Sequence, residues 1–168
     1  MDYSFYKRNF EEAIQDVFFI QFDGLGFKLS VEQVLESVAL KIYKPEWSNN
    51  FKSPLNSKSR IFFSIWVNDK TIKEGKLYYN IHALKLRELK GYKISSRDFA
   101  MKFRNEFIEN DKDKEWQNVD IYFGPLTLME GWVNLNNETI QSDIIDLSYN
   151  FLAISPIIDD TLKYYKSM

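Results

Sequence analysis

Two segments in the middle of the chain leave little choice of secondary structure. Over Arg60–Asn68, Ile61, Phe63, Ile65 and Val67 alternate with Phe62, Ser64, Trp66 and Asn68. A period of two is that of a strand, and two largely apolar faces predict an inner strand. Asn68-Asp69-Lys70 turns the chain, and a second strand follows over about Lys76–Leu86. One of its faces carries Leu77, Tyr79, Ile81 and Ala83; the other carries Tyr78, Asn80, His82 and Leu84. Strands joined so closely must run antiparallel, because a parallel crossover needs a dozen residues or more.

The flanking regions read as helices and a second strand pair. Tyr6, Phe10, Ala13, Ile14, Val17 and Phe18 recur at three- and four-residue spacing, which predicts a helix over 4–22 that Gly24 and Gly26 end. Ser30-Val31-Glu32-Gln33 fits a capping box, and Val31, Val34, Leu35, Val38 and Ile42 make a helical stripe that Pro45 must stop. Residues 44–59 are a loop. A helix is predicted from Ser96, with Phe99, Ala100, Phe103 and Phe107 inward. Strands are predicted at about 118–123 and 126–135, with Gly131 marking a bulge. A helix carrying Ile140, Ile144, Leu147, Phe151 and Leu152 follows, and Ser155-Pro156 reads as the start of a last one. The order is ααββαββαα. The expected fold class is α+β: one two-layer domain over 1–168, with a mainly antiparallel four-stranded sheet and helices on one face.

Composition narrows the function classes. A length of 168 residues suits one domain. With no Cys there is no disulfide framework, thiolate nucleophile or zinc–thiolate centre, and one His leaves little for a metal site. No run reaches the roughly 18 apolar residues of a membrane span. Glu11, Glu12 and Asp16 interrupt what would be the apolar core of a secretory signal. The expectation is a soluble cytoplasmic protein with no membrane association, no cofactor and no metal.

The charge of −2 conceals an asymmetry. Lys41 to Arg104 holds 15 basic and five acidic residues, a net +10, against −12 elsewhere. The densest basic stretch is 85–104, with Lys85, Arg87, Lys90, Lys93, Arg97, Lys102 and Arg104 against Glu88 and Asp98. Trp66, Tyr78 and Tyr92 belong to the same basic half. Cations beside aromatics suit an acidic protein surface or another anionic partner. They also suit single-stranded nucleic acid, although a pI near 5.5 argues against a dedicated nucleic-acid binder. The leading expectation is a non-catalytic binding module using Lys85, Arg87, Lys90, Tyr92, Lys93, Arg97, Trp66 and Tyr78. Oligomeric state is not readable.

Two alternatives rest on other residues. His82 is the only imidazole, and Asp120 on a neighbouring strand would orient it as the general base of a hydrolase-like enzyme. Separately, Trp66, Tyr78, Trp132 and Tyr122 could line a cavity between sheet and helices, with Glu130 or His82 selecting a polar substituent. Phosphate-loop, HExxH, GxSxG and EF-hand patterns are absent from the sequence. The pairs Asp143 with Asp146 and Asp159 with Asp160 read as a polar helix side and a helix first turn.

Overall fold

The computed structural model describes residues 2–15, 17–34 and 36–167, the Val17 side chain excepted. Five antiparallel strands make a meander in the order β1 (Lys28–Val34), β2 (Ser37–Tyr43), β3 (Arg60–Asn68), β4 (Lys76–Leu84) and β5 (Thr127–Asn134). Helices α1 (Ser4–Ala13), α2 (Val17–Gly24), α4 (Ser96–Glu109) and α5 (Ile140–Tyr164) contribute to one core over one face of this sheet. The short helix α3 (Asp69–Glu74) sits in the β3–β4 connection. The α+β class holds, but the sheet has five strands rather than four and the element order differs.

The central hairpin forms as its alternation predicts. Ile61, Phe63, Ile65 and Val67 of β3 and Leu77, Tyr79, Ile81 and Ala83 of β4 are all buried against the helices. The space between sheet and helices is filled: Phe63 stacks on Phe151 at 4.4 Å, and Trp116 packs on Tyr79. The turn predicted at 68–70 is instead α3. Asn68 and Thr71 cap it reciprocally at 2.9 Å, and Gly75 closes it at φ 69°.

The helix predicted from Ser30 is the hairpin β1–β2. Val31, Val34, Val38 and Ile42 fit a helical stripe, but Val38, Leu40 and Ile42 also fit a period of two, and these three are fully buried. The edge of β3 supplies ladder bonds to β2, and branched side chains suit the pleated surface, so tertiary pairing overrides the capping signal. Ser30 and Gln33 lie opposite Lys41 and Val38 in the ladder. Leu35, part of the predicted stripe, lies outside the described residues. The helix predicted over 4–22 divides into α1 and α2. Tyr6, Phe10 and Ala13 are buried on the first, whereas Phe18 and Phe22 of the second meet the Tyr149 ring. One straight helix would not bury both stripes.

Three further expectations change. Residues 118–123 make no strand; Asp120 and Glu130 exchange backbone hydrogen bonds at 2.7 and 3.0 Å as an isolated bridge. Asn118 sits at φ 55°, and the carbonyls of Phe123 and Gly124 accept from Arg104 rather than from a ladder. Gly131 is not a bulge; the register shift lies at Ile81/His82. A Cβ at Gly131 would collide with the Tyr79 ring, which crosses β5 there to donate to the Gln117 carbonyl at 2.7 Å. Pro156 starts no helix but lies inside α5. Proline strands the carbonyl four residues back, and the Ser155 hydroxyl donates to that carbonyl, Leu152 O, at 2.9 Å. Among the described residues no helix is long and apolar enough to cross a membrane.

Candidate binding surface

The basic stretch begins where β4 ends. Lys85 takes a left-handed conformation (φ 48°) and opens a 3-10 turn over Leu86–Glu88. Leu86, Leu89 and Ile94 are buried, so they pin the segment to the core. The residues between those anchors must point outward, and Lys85, Arg87, Lys90 and Lys93 are exposed. Asn49 fixes the turn from outside: its amide donates to the Glu88 carbonyl and accepts from the Lys90 N–H, both at 2.8 Å. The C-terminus holds the far end, where the Lys93 N–H donates to Tyr165 O at 3.0 Å and the Ser167 N–H to Gly91 O at 2.9 Å. Ser95 then caps α4, and Arg97 stands exposed in its first turn.

None of Lys85, Arg87, Lys90, Lys93 and Arg97 is within ion-pair distance of an acid among the described residues. Lys102 and Arg104, the last two cations of the 85–104 stretch, are committed elsewhere. Lys102 pairs with Glu106 at 3.6 Å and lies over the Tyr164 ring at 4.3 Å. The Arg104 guanidinium donates to four backbone carbonyls, of Leu128 (3.1 Å), Phe123 (3.0 Å), Gly124 (3.0 Å) and Thr127 (2.8 Å). It is a staple joining α4 to the 123–128 turn, and burial lowers its pKa from the usual arginine value. The free basic arc is therefore 85–97, shorter than the stretch read from sequence.

Beyond Arg97 the outer side of α4 turns apolar. Met101 and Ile108 are exposed, and with Ile121, Tyr122 and Phe123 they line a groove of about 620 Å³ that Arg97 flanks. Tyr122 is 90% exposed, so it belongs to this groove and not to a cavity with Trp66. Sequence reasoning missed the groove because Met101 and Ile108 fall outside the buried stripe of α4 and carry no polar signal.

Tyr92 joins the arc only in part. It forms an isolated bridge with Lys166, and burial first, then Asp159 and Glu46, pushes its hydroxyl pKa up. Trp66 and Tyr78 do not join it. Both lie on the sheet face that the helices leave uncovered, stacked on each other at 4.9 Å. Six strand residues lie between Tyr78 and Lys85, so seven steps of strand rise put them roughly 23 Å apart.

His82 lies on the same uncovered face. Its Nδ1 is 3.3 Å from Thr127 Oγ1, and its ring is 5.3 Å from that of Phe62. Burial lowers its pKa, against the raising effects of the Leu126 carbonyl and of Glu130. Asp120 is not its partner. The Asp120 carboxylate accepts from the Tyr122 N–H at 2.7 Å, while its backbone pairs with Glu130. The structure thus gives His82 a hydroxyl neighbour and does not assemble the expected His82–Asp120 pair. Trp132 lies beside Tyr78 across the ladder, with the Lys76 ammonium 4.5 Å from its ring, on the side of the sheet away from the core. The cavity expected between sheet and helices is occupied by core side chains. Among the described residues no group of three or more His, Asp or Glu is placed to hold a metal ion. No family model, no curated protein and no solved structure matches the chain.

Proposed function

We propose that the chain is a non-catalytic binding module for an acidic protein segment. Lys85, Arg87, Lys90, Lys93 and Arg97 attract it, and the groove of Met101, Ile108 and Tyr122 seats its apolar side chains. The observation that carries the reading is that five exposed cations, four of them interleaved with buried Leu86, Leu89 and Ile94, have no acid within ion-pair distance among the described residues. Exposed pairs are individually worth about 0–1 kcal/mol, so the arc supplies steering and register more than affinity. Affinity comes from desolvating the groove, where a large exposed tyrosine is the natural anchor. Charge complementarity and adjacent apolar area favour an acidic amphipathic helix over a nucleic acid, which would need stacking platforms among the cations.

The test is fluorescence anisotropy with a labelled amphipathic peptide carrying Glu and Asp on one face and Leu on the other. The expected result is saturable binding that weakens with salt. Binding should fall at least tenfold in the K90E/K93E/R97E variant and, separately, in Y122A. Equal binding by the charge-reversed variant, or tighter binding of a single-stranded oligonucleotide than of the peptide, would reject the proposal.

A further inference from the structure

The uncovered face of the sheet carries a groove that the basic arc does not use. The ladder sets its layout. One row across the strands is Ala39, Trp66, Tyr78 and Trp132; the next is Lys41, Ser64, Asn80 and Glu130; the third includes Phe62 and His82. The middle row has buried Ser64 and Asn80 at its centre, so a trough of about 370 Å³ runs over it. Trp66 stands on one side and Phe62 with His82 on the other.

Two residues of this lining each carry a buried polar atom with no hydrogen-bond partner among the described residues. Asn80 is 3% exposed, and its Oδ1 accepts nothing. Its amide orientation is determined, because Nδ2 donates to Glu130 Oε1 at 3.1 Å and a carboxylate can only accept. Trp66 Nε1 is likewise buried and donates to nothing. The two residues are diagonal neighbours on β3 and β4, with Cβ atoms roughly 7 Å apart. An acceptor-only ligand would leave Asn80 orphaned, and a donor-only ligand would leave Trp66 orphaned. A hydroxyl does both, and adjacent hydroxyls span the gap. The charged groups of the lining are already engaged: Glu32 holds Lys41 at 3.0 Å, and Glu130 accepts from Asn80 Nδ2. A neutral ligand therefore fits better than an ion. The trough crosses the strands, and the inner strands have both ladder edges paired, so a peptide finds no edge to extend.

We infer that this face binds a neutral saccharide, whose hydroxyls satisfy Asn80 Oδ1 and Trp66 Nε1 and whose C–H surface packs on the Trp66–Tyr78 wall. The site is independent of the basic arc. The test follows the Trp66 indole N–H and the Asn80 side-chain amide by NMR of the ¹⁵N-labelled chain. Millimolar glucose, galactose, mannose, N-acetylglucosamine and their common disaccharides are titrated in, with inorganic phosphate and an N-acetyl dipeptide amide as comparators. The expected result is saturable movement of both signals with at least one saccharide and none with phosphate. Affinity should weaken about tenfold in W66F, which keeps the stack on Tyr78, and in N80S. If N80S fails to fold, W66F decides. Signals that no saccharide moves, that the dipeptide amide alone moves, or that contact only a long-lived water overturn the inference. K90E/K93E/R97E should leave the saccharide titration unchanged, which separates this site from the arc.

Discussion

Arg104 offers the sharpest quantitative test of the structure. Replacing it with methionine keeps an unbranched apolar stem and removes five N–H donors. Four carbonyls lose a charged partner: those of Leu128 and Thr127 in part-buried bonds, those of Phe123 and Gly124 in exposed ones. Water replaces the guanidinium at the two exposed carbonyls, so their loss costs little. At the two part-buried carbonyls, bonds to a charged donor are worth about 1.5–3 kcal/mol each and do not add fully, giving a loss of about 3 kcal/mol. For a chain of this length that is a fall of about 6–12 °C in Tm. Urea unfolding followed by circular dichroism measures it directly, and an unchanged slope would show that the native state itself lost stability. Arg104→Lys should recover only part of the loss, since one ammonium cannot fork across four acceptors. A loss below about 0.5 kcal/mol for Arg104→Met would be that of an ordinary surface site and would refute the staple. Hydrogen exchange adds a positional readout: protection should fall first in β5 and the turn before it.

Two more outcomes follow from single side chains. The one imidazole should titrate below its ordinary value of 6.5, because burial disfavours its charged form. In the folded state the proton then binds more weakly than in the unfolded chain, so the His82 contribution to stability is greatest above the unfolded pKa. It declines as pH falls through that value and levels off below the folded one. An NMR titration midpoint above 6.5 would contradict this, and His82→Gln should flatten that part of the stability profile. In α5, Ser155→Ala should cost about 1 kcal/mol by leaving the Leu152 carbonyl bare, and almost nothing once Pro156→Ala restores the backbone donor. A double-mutant cycle on thermal unfolding reads that coupling, and additive effects would deny it.

The legible parts of the fold are those where one period excludes the other. In β3 and β4 every second residue is apolar, and no helical stripe accounts for Ile61, Phe62, Phe63, Ile65, Trp66 and Val67 together. In β1–β2 the branched residues fall where both periods accept them, and a capping box tips the choice toward a helix. The edge of β3, which local sequence does not contain, reverses it. Pro156 is a related case: Ser155-Pro156 reads as a helix start, but inside a continuous helix the serine repairs the damage the proline does.

The layout of the candidate surface is legible to the same extent and for the same reason. Anchors and cations interleave along the chain from Leu86 to Ile94, so their directions follow from local sequence once the anchors are buried. Arg104 looked like one more cation because its partners are backbone carbonyls, which every residue has and no sequence marks. Trp66, Tyr78 and Asn80 expose a deeper limit. A strand with two apolar faces says that both are protected from water, not which face the helices cover. Here the helices take the Ile61 face, and the Trp66 face shelters itself with stacked aromatics, an ion pair and an amide–carboxylate bond. Self-sheltering by large side chains leaves gaps that a packed helix would fill. The unpartnered atoms of Asn80 and Trp66 belong to two residues that line one such gap.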